Sequence, residues 1–180
     1  MPETKIAALK KEEIMSLIKL LAFILMATIA PMLRFQGITG PIVNALLFLS
    51  VIFIGFPNAI FIATVPSAIS LATGHLPFIL APMIPFIMLG NLILMAVFAK
   101  LKKDYWMAVF TASTLKFLFL FFSSQLLFSI IDKKLLLMVS RTMGWMQFFT
   151  AIIGGFIAYL ILKFLKKLDL YGECLINKRQ

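Results

Sequence analysis

The chain has 180 residues, of which 62% are hydrophobic and only 13% are charged, and its mean hydropathy is +1.06. These values exclude an ordinary soluble domain, and the long apolar runs favour an all-α, polytopic membrane protein over a barrel of alternating strands. The net charge of +10 comes from cations that cluster between the apolar runs. Such cations set membrane topology, so we expect no nucleic-acid partner.

The N-terminal part of the chain predicts a short polar segment and a first membrane span. Residues 1–13 are polar and mixed in charge, so we expect a cytoplasmic interfacial helix or tail. The span is predicted over residues 14–33. A secretory signal peptide is the alternative, because residues 27–31 (ATIAP) resemble a cleavage site, but no soluble domain follows for export. Residues 34–40 (RFQGITG) contain two glycines and are predicted to be a loop.

Two short apolar arms follow, over residues 41–56 and 59–74, joined at Pro57-Asn58. Each arm has only about 15 residues, which is short for a hydrocarbon core of ~30 Å. They form either two short or tilted spans or a re-entrant pair. The second arm carries small residues at helical spacing, which predicts a face for close helix contact: Ala59, Ala63, Ser67, Ala68 and Ala72.

Three longer spans are predicted in the second half, over residues 78–98, 105–131 and 143–165. The first contains Pro82 and Pro85, which free backbone carbonyls and are tolerated where protein or a water-filled cavity satisfies them. The last span has a small, partly polar face suited to tight packing, made of Gln147, Ala151, Gly154 and Ala158.

These elements together predict one transmembrane domain, residues 14–167, as a bundle of about six helices, with a cytoplasmic tail at residues 168–180. Most lysines and arginines lie inside if both termini are cytoplasmic, as the positive-inside rule requires. We therefore expect a multi-pass protein of the cell membrane. Charge counting does not separate six spans from four spans and a re-entrant pair, because both give the same sidedness to the charged ends.

One lysine lies near the middle of a predicted span. Lys116 is roughly 18 Å along the helix axis from Asp104 and about 24 Å from Asp132, so its amine does not easily reach either interface. A charge at that depth costs about 2.5–3.5 kcal/mol on insertion scales. All seven acidic residues flank apolar segments rather than lying within one: Glu3, Glu12, Glu13, Asp104, Asp132, Asp169 and Glu173.

Three interpretations of Lys116 follow. Its ammonium meets an anion from outside the chain, such as a substrate carboxylate or phosphate; or hydroxyls, amides and water hold it; or the buried amine is uncharged. Ser113, Ser123 and Ser124 fall on the same helical arc as Lys116. A positively charged outer side would attract anions to this lysine. The candidate substrate-binding residues are Lys116, Ser113, Ser123, Asn44, Asn91, Gln147, Trp145 and Arg34.

The residue inventory limits the chemistry. No apolar segment carries a carboxylate, and the chain has one histidine and one cysteine, so a metal centre and intramembrane proteolysis by aspartyl, zinc or Ser-His machinery are not expected. No Walker motif is present, so the chain does not energise transport by itself. We expect no cofactor and no enzymatic activity, since the polar residues suit binding rather than bond breaking.

Two segments, GPIVNALLFLSVIFIGFP and LAPMIPFIMLGNLILMAVF, in a chain of about six spans with basic cytoplasmic ends, resemble the substrate-binding S components of energy-coupling factor transporters. The likeness covers most of the chain from Ile14 to Leu165. It implies six helices, a pocket near the outer face, and docking to a transmembrane scaffold protein driven by two cytosolic ATPases. Family substrates are vitamins, their precursors and transition metals.

The sequence departs from this family in two places. Ala22, Ala27 and Ala30 lack the Ala-x-x-x-Ala spacing that many S components use for scaffold docking, and the N-terminus lacks the histidine of the nickel and cobalt members. A small polar or anionic organic substrate, a vitamin or precursor, therefore suits the chain better than a metal.

The alternative function is a structural or assembly protein in which Lys116 pairs with a partner helix. A membrane enzyme acting on a lipid headgroup ranks last.

Overall fold

The computed structural model describes residues 2–30, 36–72, 78–128 and 144–177, and the regular secondary structure of this part of the chain is all helical. A 3-10 helix, Phe78–Met83, precedes the fourth of the α-helices. Their bounds are α1 (Pro2–Ile29), α2 (Gln36–Phe53), α3 (Phe56–Ala72), α4 (Ile84–Leu101), α5 (Tyr105–Phe128) and α6 (Trp145–Asn177).

Among the described residues, three stretches of helix are long and apolar enough to cross a membrane: Ala81–Leu101, Tyr105–Leu126 and Trp145–Lys167. Gly37–Phe53 and Phe56–Ile69 form shorter apolar helices. The all-α architecture is confirmed for the described residues, and the apolar helices are compatible with a membrane location. The count of six spans stays a prediction.

The expected loop at residues 34–40 is wrong from Gln36 onward, because α2 begins there and carries Pro41 inside it. A proline near a helix start removes only one backbone hydrogen bond. Gly40 also supports this path, since a Cβ at Gly40 would lie 2.8 Å from Cγ2 of Thr150 on α6. The glycine therefore serves close helix packing rather than a turn. Residues 2–13 form the N-terminal part of α1, so the polar segment and the start of the predicted first span belong to one helix.

The connection between α2 and α3 lies at Ile54-Gly55 rather than at the expected Pro57-Asn58. Gly55 has a φ of 87°, which glycine adopts without the steric cost of a Cβ. Pro57 instead occupies the first turn of α3, where its missing N–H has no helical partner to lose.

The start of the predicted span 78–98 is a 3-10 helix, not an α-helix. Pro82 lies within it and Pro85 lies in the first turn of α4. Both prolines lack the N–H that an α-helical ladder needs, so the regular α-helix begins only at Ile84. The prolines thus shorten α4 at its N-terminal end.

α2 occupies the centre of the bundle, where it packs against α1, α3, α4 and α6, while α5 lies between α4 and α6. Small side chains were predicted to form packing faces on α3 and on α6. Ala59 and Ala63 of α3 are fully buried, whereas Ala68 and Ala72 are exposed, so the predicted small face of α3 is confirmed only for its first half. The predicted face of α6 is buried at Ala151, Gly154 and Ala158.

Gly154 brings the backbones of α6 and α2 together beside Asn44. A Cβ at Gly154 would lie 2.6 Å from Cβ of Asn44, 2.8 Å from the carbonyl oxygen of Pro41 and 2.9 Å from the amide nitrogen of Ala45. We expect Gly154→Ala to lower the free energy of unfolding by about 1–3 kcal/mol, because overpacking forces the helices apart. Thermal unfolding in detergent measures this loss.

The matched control is Ile153→Val, which changes one methylene on the exposed face of the same helix. It should leave the unfolding transition nearly unchanged. Equal transitions for wild type and Gly154→Ala would show that α2 and α6 do not approach this closely.

Candidate functional site

The ammonium of Lys116 lies inside the helical bundle, with the side chain only 3% exposed. Its Nζ donates hydrogen bonds to Oδ1 of Asn44 at 2.7 Å and to Oδ1 of Asn91 at 2.8 Å. Asn44 comes from α2 and Asn91 from α4, and both are buried. The long lysine side chain therefore extends from α5 into the centre of the bundle, where the oxygens of two neutral amides accept its hydrogen bonds.

Each asparagine amide makes a second, longer contact that points away from the lysine. Nδ2 of Asn44 donates to Oγ1 of Thr150 at 3.5 Å, and Nδ2 of Asn91 donates to the carbonyl oxygen of Ala63 at 3.4 Å. Both distances are at the long limit for hydrogen bonds. The network nevertheless extends from Lys116 to α2, α3, α4 and α6, so five helices meet at one polar cluster.

This cluster provides partners for one of the three interpretations of Lys116, the ammonium held by neighbouring amides. An amide oxygen bears a partial negative charge but no full counter-charge, and buried ions ordinarily need pairing. An ammonium also has three N–H donors, of which two are used here. The site thus holds a buried amine, and the described residues that it contacts would not neutralise an ammonium charge.

The serines of α5 have different environments. Ser113 is fully buried, and within the described part of the chain its Oγ is the buried side-chain polar atom that lacks a hydrogen-bond partner. Ser123 is also buried, at 5% exposure. The hydroxyl of Ser124 donates to the carbonyl oxygen of Phe121 at 2.7 Å, as serines in helices commonly do.

The remaining candidate residues lie at the edge of the site or outside the described chain. Trp145 is 67% exposed and stacks on Phe117 with ring centroids 5.0 Å apart. Gln147 is half-buried, and its backbone carbonyl oxygen accepts a hydrogen bond from the hydroxyl of Thr150 at 3.2 Å. Arg34 falls outside the described residues. The structure therefore brings Lys116 together with the two asparagines, while no contact of Trp145 with the lysine is seen.

Two members of the network are absent from the set expected from the sequence, Thr150 and the backbone carbonyl of Ala63. Thr150 carried a signal, because it lies three residues after Gln147 and four before Gly154, next to the small face of α6. The backbone carbonyl of Ala63 gave no such signal. Every residue has a backbone carbonyl, and the sequence does not show which of them accepts a hydrogen bond from a side chain.

The cluster lies near the middle of the bundle, well inside the end at which α2, α4 and α6 begin. At ~1.5 Å per residue, Asn44 is about 12 Å from the start of α2, Asn91 about 10 Å from the start of α4, and Thr150 about 8 Å from the start of α6. The sequence segments that join the helices at this end carry the cations Arg34, Lys133, Lys134 and Arg141. Lys116 itself is about 17 Å from the start of α5 and about 18 Å from its last residue, Phe128, so the buried lysine lies near the middle of the bundle.

No group of three or more His, Cys, Asp or Glu side chains that could hold a metal ion occurs among the described residues. The polar atoms of the cluster are amides, hydroxyls and an amine, which suit hydrogen bonding to an organic ligand. Comparisons with protein-family models, with curated proteins and with solved structures find no match.

Proposed function

We propose that this chain is a membrane-embedded substrate-binding subunit for the uptake of a small polar or anionic organic molecule. The observation that carries the proposal is the cation of Lys116, buried in the bundle without an acidic partner among the described residues and held by Asn44 and Asn91. A negative group from a ligand would supply the counter-charge in a medium where charges interact strongly.

Both segments that carry the resemblance to S components reach the Lys116 cluster. Asn44 belongs to GPIVNALLFLSVIFIGFP and Asn91 to LAPMIPFIMLGNLILMAVF, and these two asparagines are the partners of Lys116. The segments lie far apart in sequence, yet they contribute equivalent amide oxygens to one site. We therefore propose that the asparagine of each of these two segments is part of the substrate-binding site.

The same proposal includes a transmembrane scaffold protein and cytosolic ATPases as partners, as the resemblance to S components implies. Binding rather than catalysis is proposed for this subunit. The cluster contains no carboxylate or histidine that would act as a general base beside a nucleophile.

We further propose six spans in the cell membrane with both termini cytoplasmic. The rings of Phe48 on α2 and Phe98 on α4 pack edge to face with centroids 4.8 Å apart, so these two residues lie at similar depth. From there α2 continues for about 8 Å and α4 for about 5 Å before ending. The connection at Gly55 thus reaches the level of Lys102, which supports a full crossing by α2 and α3 over a re-entrant pair.

The alternative function, a structural or assembly protein in which Lys116 pairs with a partner helix, has no favourable observation. Lys116 faces the interior and already contacts two asparagines of its own chain. The small residues Ala59, Ala63 and Ala151 are likewise buried within the bundle, so they are not available to a partner helix.

Native mass spectrometry on the purified chain tests the proposal. We expect wild type to retain a small molecule, and Lys116→Met to lose it, because the variant removes the cation while keeping an apolar side chain of similar length. The matched control is Lys103→Met, which removes an exposed cation at the α4–α5 connection and should retain the bound mass.

A folded Lys116→Met protein that keeps the same bound mass would overturn the role of Lys116. A chain that is bare in all three forms, or that is stable only with a protein partner, would favour the assembly function instead. Size-exclusion chromatography establishes that each variant is folded and monodisperse before its spectrum is compared.

A further inference from the structure

We propose that the ligand group bound at Lys116 is a single carboxylate, which accepts one hydrogen bond from the Lys116 ammonium and one from the hydroxyl of Ser113. This inference rests on the proposed binding function and adds the chemical class of the substrate. It follows from the number, the charge and the position of the donors that the cluster leaves unused.

The first unused donor is on Lys116. Two of the three N–H bonds of its ammonium are directed to Oδ1 of Asn44 and Oδ1 of Asn91, at 2.7 Å and 2.8 Å. With their oxygens turned to the lysine, the asparagines direct their NH2 groups to Thr150 and to the carbonyl of Ala63. An anion beside Nζ therefore meets one N–H of the lysine that no described residue accepts, while both asparagines turn their oxygens rather than their NH2 groups towards Nζ.

The second unused donor is the hydroxyl of Ser113. The buried hydroxyls of Ser50, Ser124 and Thr150 all donate to a carbonyl oxygen of their own helix. Ser113 is as deeply buried, but its Oγ has no partner among the described residues. A buried hydroxyl without a partner costs free energy, so this atom is the natural second contact for a ligand.

Helix geometry places the two residues on one face of α5. Ser113 precedes Lys116 by three residues, so both lie on the same face of α5. Long side chains on a helix lean towards its N-terminal end, over the preceding turn. The Lys116 side chain therefore leans towards the turn that carries Ser113.

One cation and two donors match a carboxylate better than a phosphate. A carboxylate has a single negative charge and two oxygens, one for each donor. A phosphate monoester carries a charge of about −1.5 to −2 and three acceptor oxygens, and its recognition ordinarily uses several cationic donors. In this cluster a phosphate would keep an unbalanced charge and an unpaired oxygen in a buried, apolar setting.

Chemical analysis of the molecule released from purified wild type tests the carboxylate directly. The released fraction is esterified in parallel with ordinary and deuterated acidic methanol, and the mass spacing between the two products counts the carboxyl groups. We expect at least one carboxyl group. A released molecule that forms no methyl ester would overturn this inference and leave the binding function intact, whereas release of no molecule would count against the binding function itself.

The role of Ser113 is tested with defined anions. Thermal unfolding of the full chain is followed in sodium acetate, sodium phosphate and sodium chloride at equal ionic strength. Acetate should stabilise wild type more than the other two salts, and Ser113→Ala should weaken its apparent affinity about tenfold, as expected for a hydrogen bond to a charged group. Ser124→Ala is the matched control and should respond as wild type does, because that hydroxyl already donates to Phe121.

Two outcomes would overturn the assignment. Equal stabilisation by phosphate or chloride would show that the site recognises negative charge without selecting a carboxylate. An unchanged response of Ser113→Ala would remove Ser113 from the site. A misfolded Ser113→Ala would be replaced by Ser113→Cys, a close isostere and weaker donor, for which we expect a smaller loss in the same direction.

Discussion

Replacing Asn91 with leucine is expected to lower the free energy of unfolding by about 1.5–3 kcal/mol in the wild-type chain, the range for a hydrogen bond to a charged group. The substitution removes the amide oxygen 2.8 Å from Nζ of Lys116 and leaves a buried cation with one fewer acceptor. In a Lys116→Met background the same substitution should be nearly neutral, because both polar partners are then replaced by apolar groups of similar volume.

The measurement is a double-mutant cycle of wild type, Asn91→Leu, Lys116→Met and the double variant, unfolded under one set of detergent conditions. Residues in direct contact show coupling energies of about 0.5–3 kcal/mol, whereas distant pairs are additive. A cycle that combines Asn91→Leu with Lys103→Met is the control and should be additive. Additive costs in the first cycle as well would show that Asn91 does not hold Lys116.

The size of this coupling also separates two of the interpretations of Lys116. A hydrogen bond between neutral groups contributes about 0.5–1.5 kcal/mol, and a charged donor raises the contribution to about 1.5–3 kcal/mol. A coupling in the upper range would indicate an ammonium, which requires a counter-charge and so favours an anionic ligand. A coupling in the lower range would indicate an uncharged amine and would favour a polar, uncharged substrate.

The polar surroundings of Lys116 were predictable because a lone cation within an apolar run has a large desolvation cost that few arrangements offset. The same logic selected Asn44 and Asn91, the polar side chains of two other apolar segments. The sequence did not show which polar side chains would contact each other, or that one amide would contact two of them. Asn44 contacts Lys116 and Thr150 from one amide, and such pairing depends on how the helices are rotated against each other, which no local pattern specifies.

Helix boundaries were harder to predict than the site, and close packing explains why. Glycine and proline near residues 37–41 indicate a loop when only local preferences are considered. In the structure the same residues continue α2, because Gly40 accommodates the side chain of Thr150 on α6. The tertiary contact favours a helix where the local signal favours a turn. At Gly55, where the positive φ is a local property, the break occurs close to where the sequence indicated one.

Cysteine labelling should place the α2–α3 connection on the same side of the membrane as the α4–α5 connection. Cys174 is the single cysteine of the sequence, so Cys174→Ser provides a background for Asn58→Cys and Lys103→Cys. Both positions are exposed. With six spans, a membrane-impermeant maleimide should label both in inside-out vesicles and neither in right-side-out vesicles, a nearly all-or-none difference.

Arg141→Cys, in the sequence between α5 and α6, is the control for the opposite side and should be labelled only in right-side-out vesicles. A re-entrant pair predicts a different pattern, in which Asn58→Cys escapes the reagent in both preparations while Lys103→Cys is still labelled from inside. The contact between Phe48 and Phe98 would then have to form with the α2–α3 connection buried in hydrocarbon. That arrangement leaves the exposed Asn58 amide in contact with lipid, at a cost that a full crossing avoids because the connection reaches water.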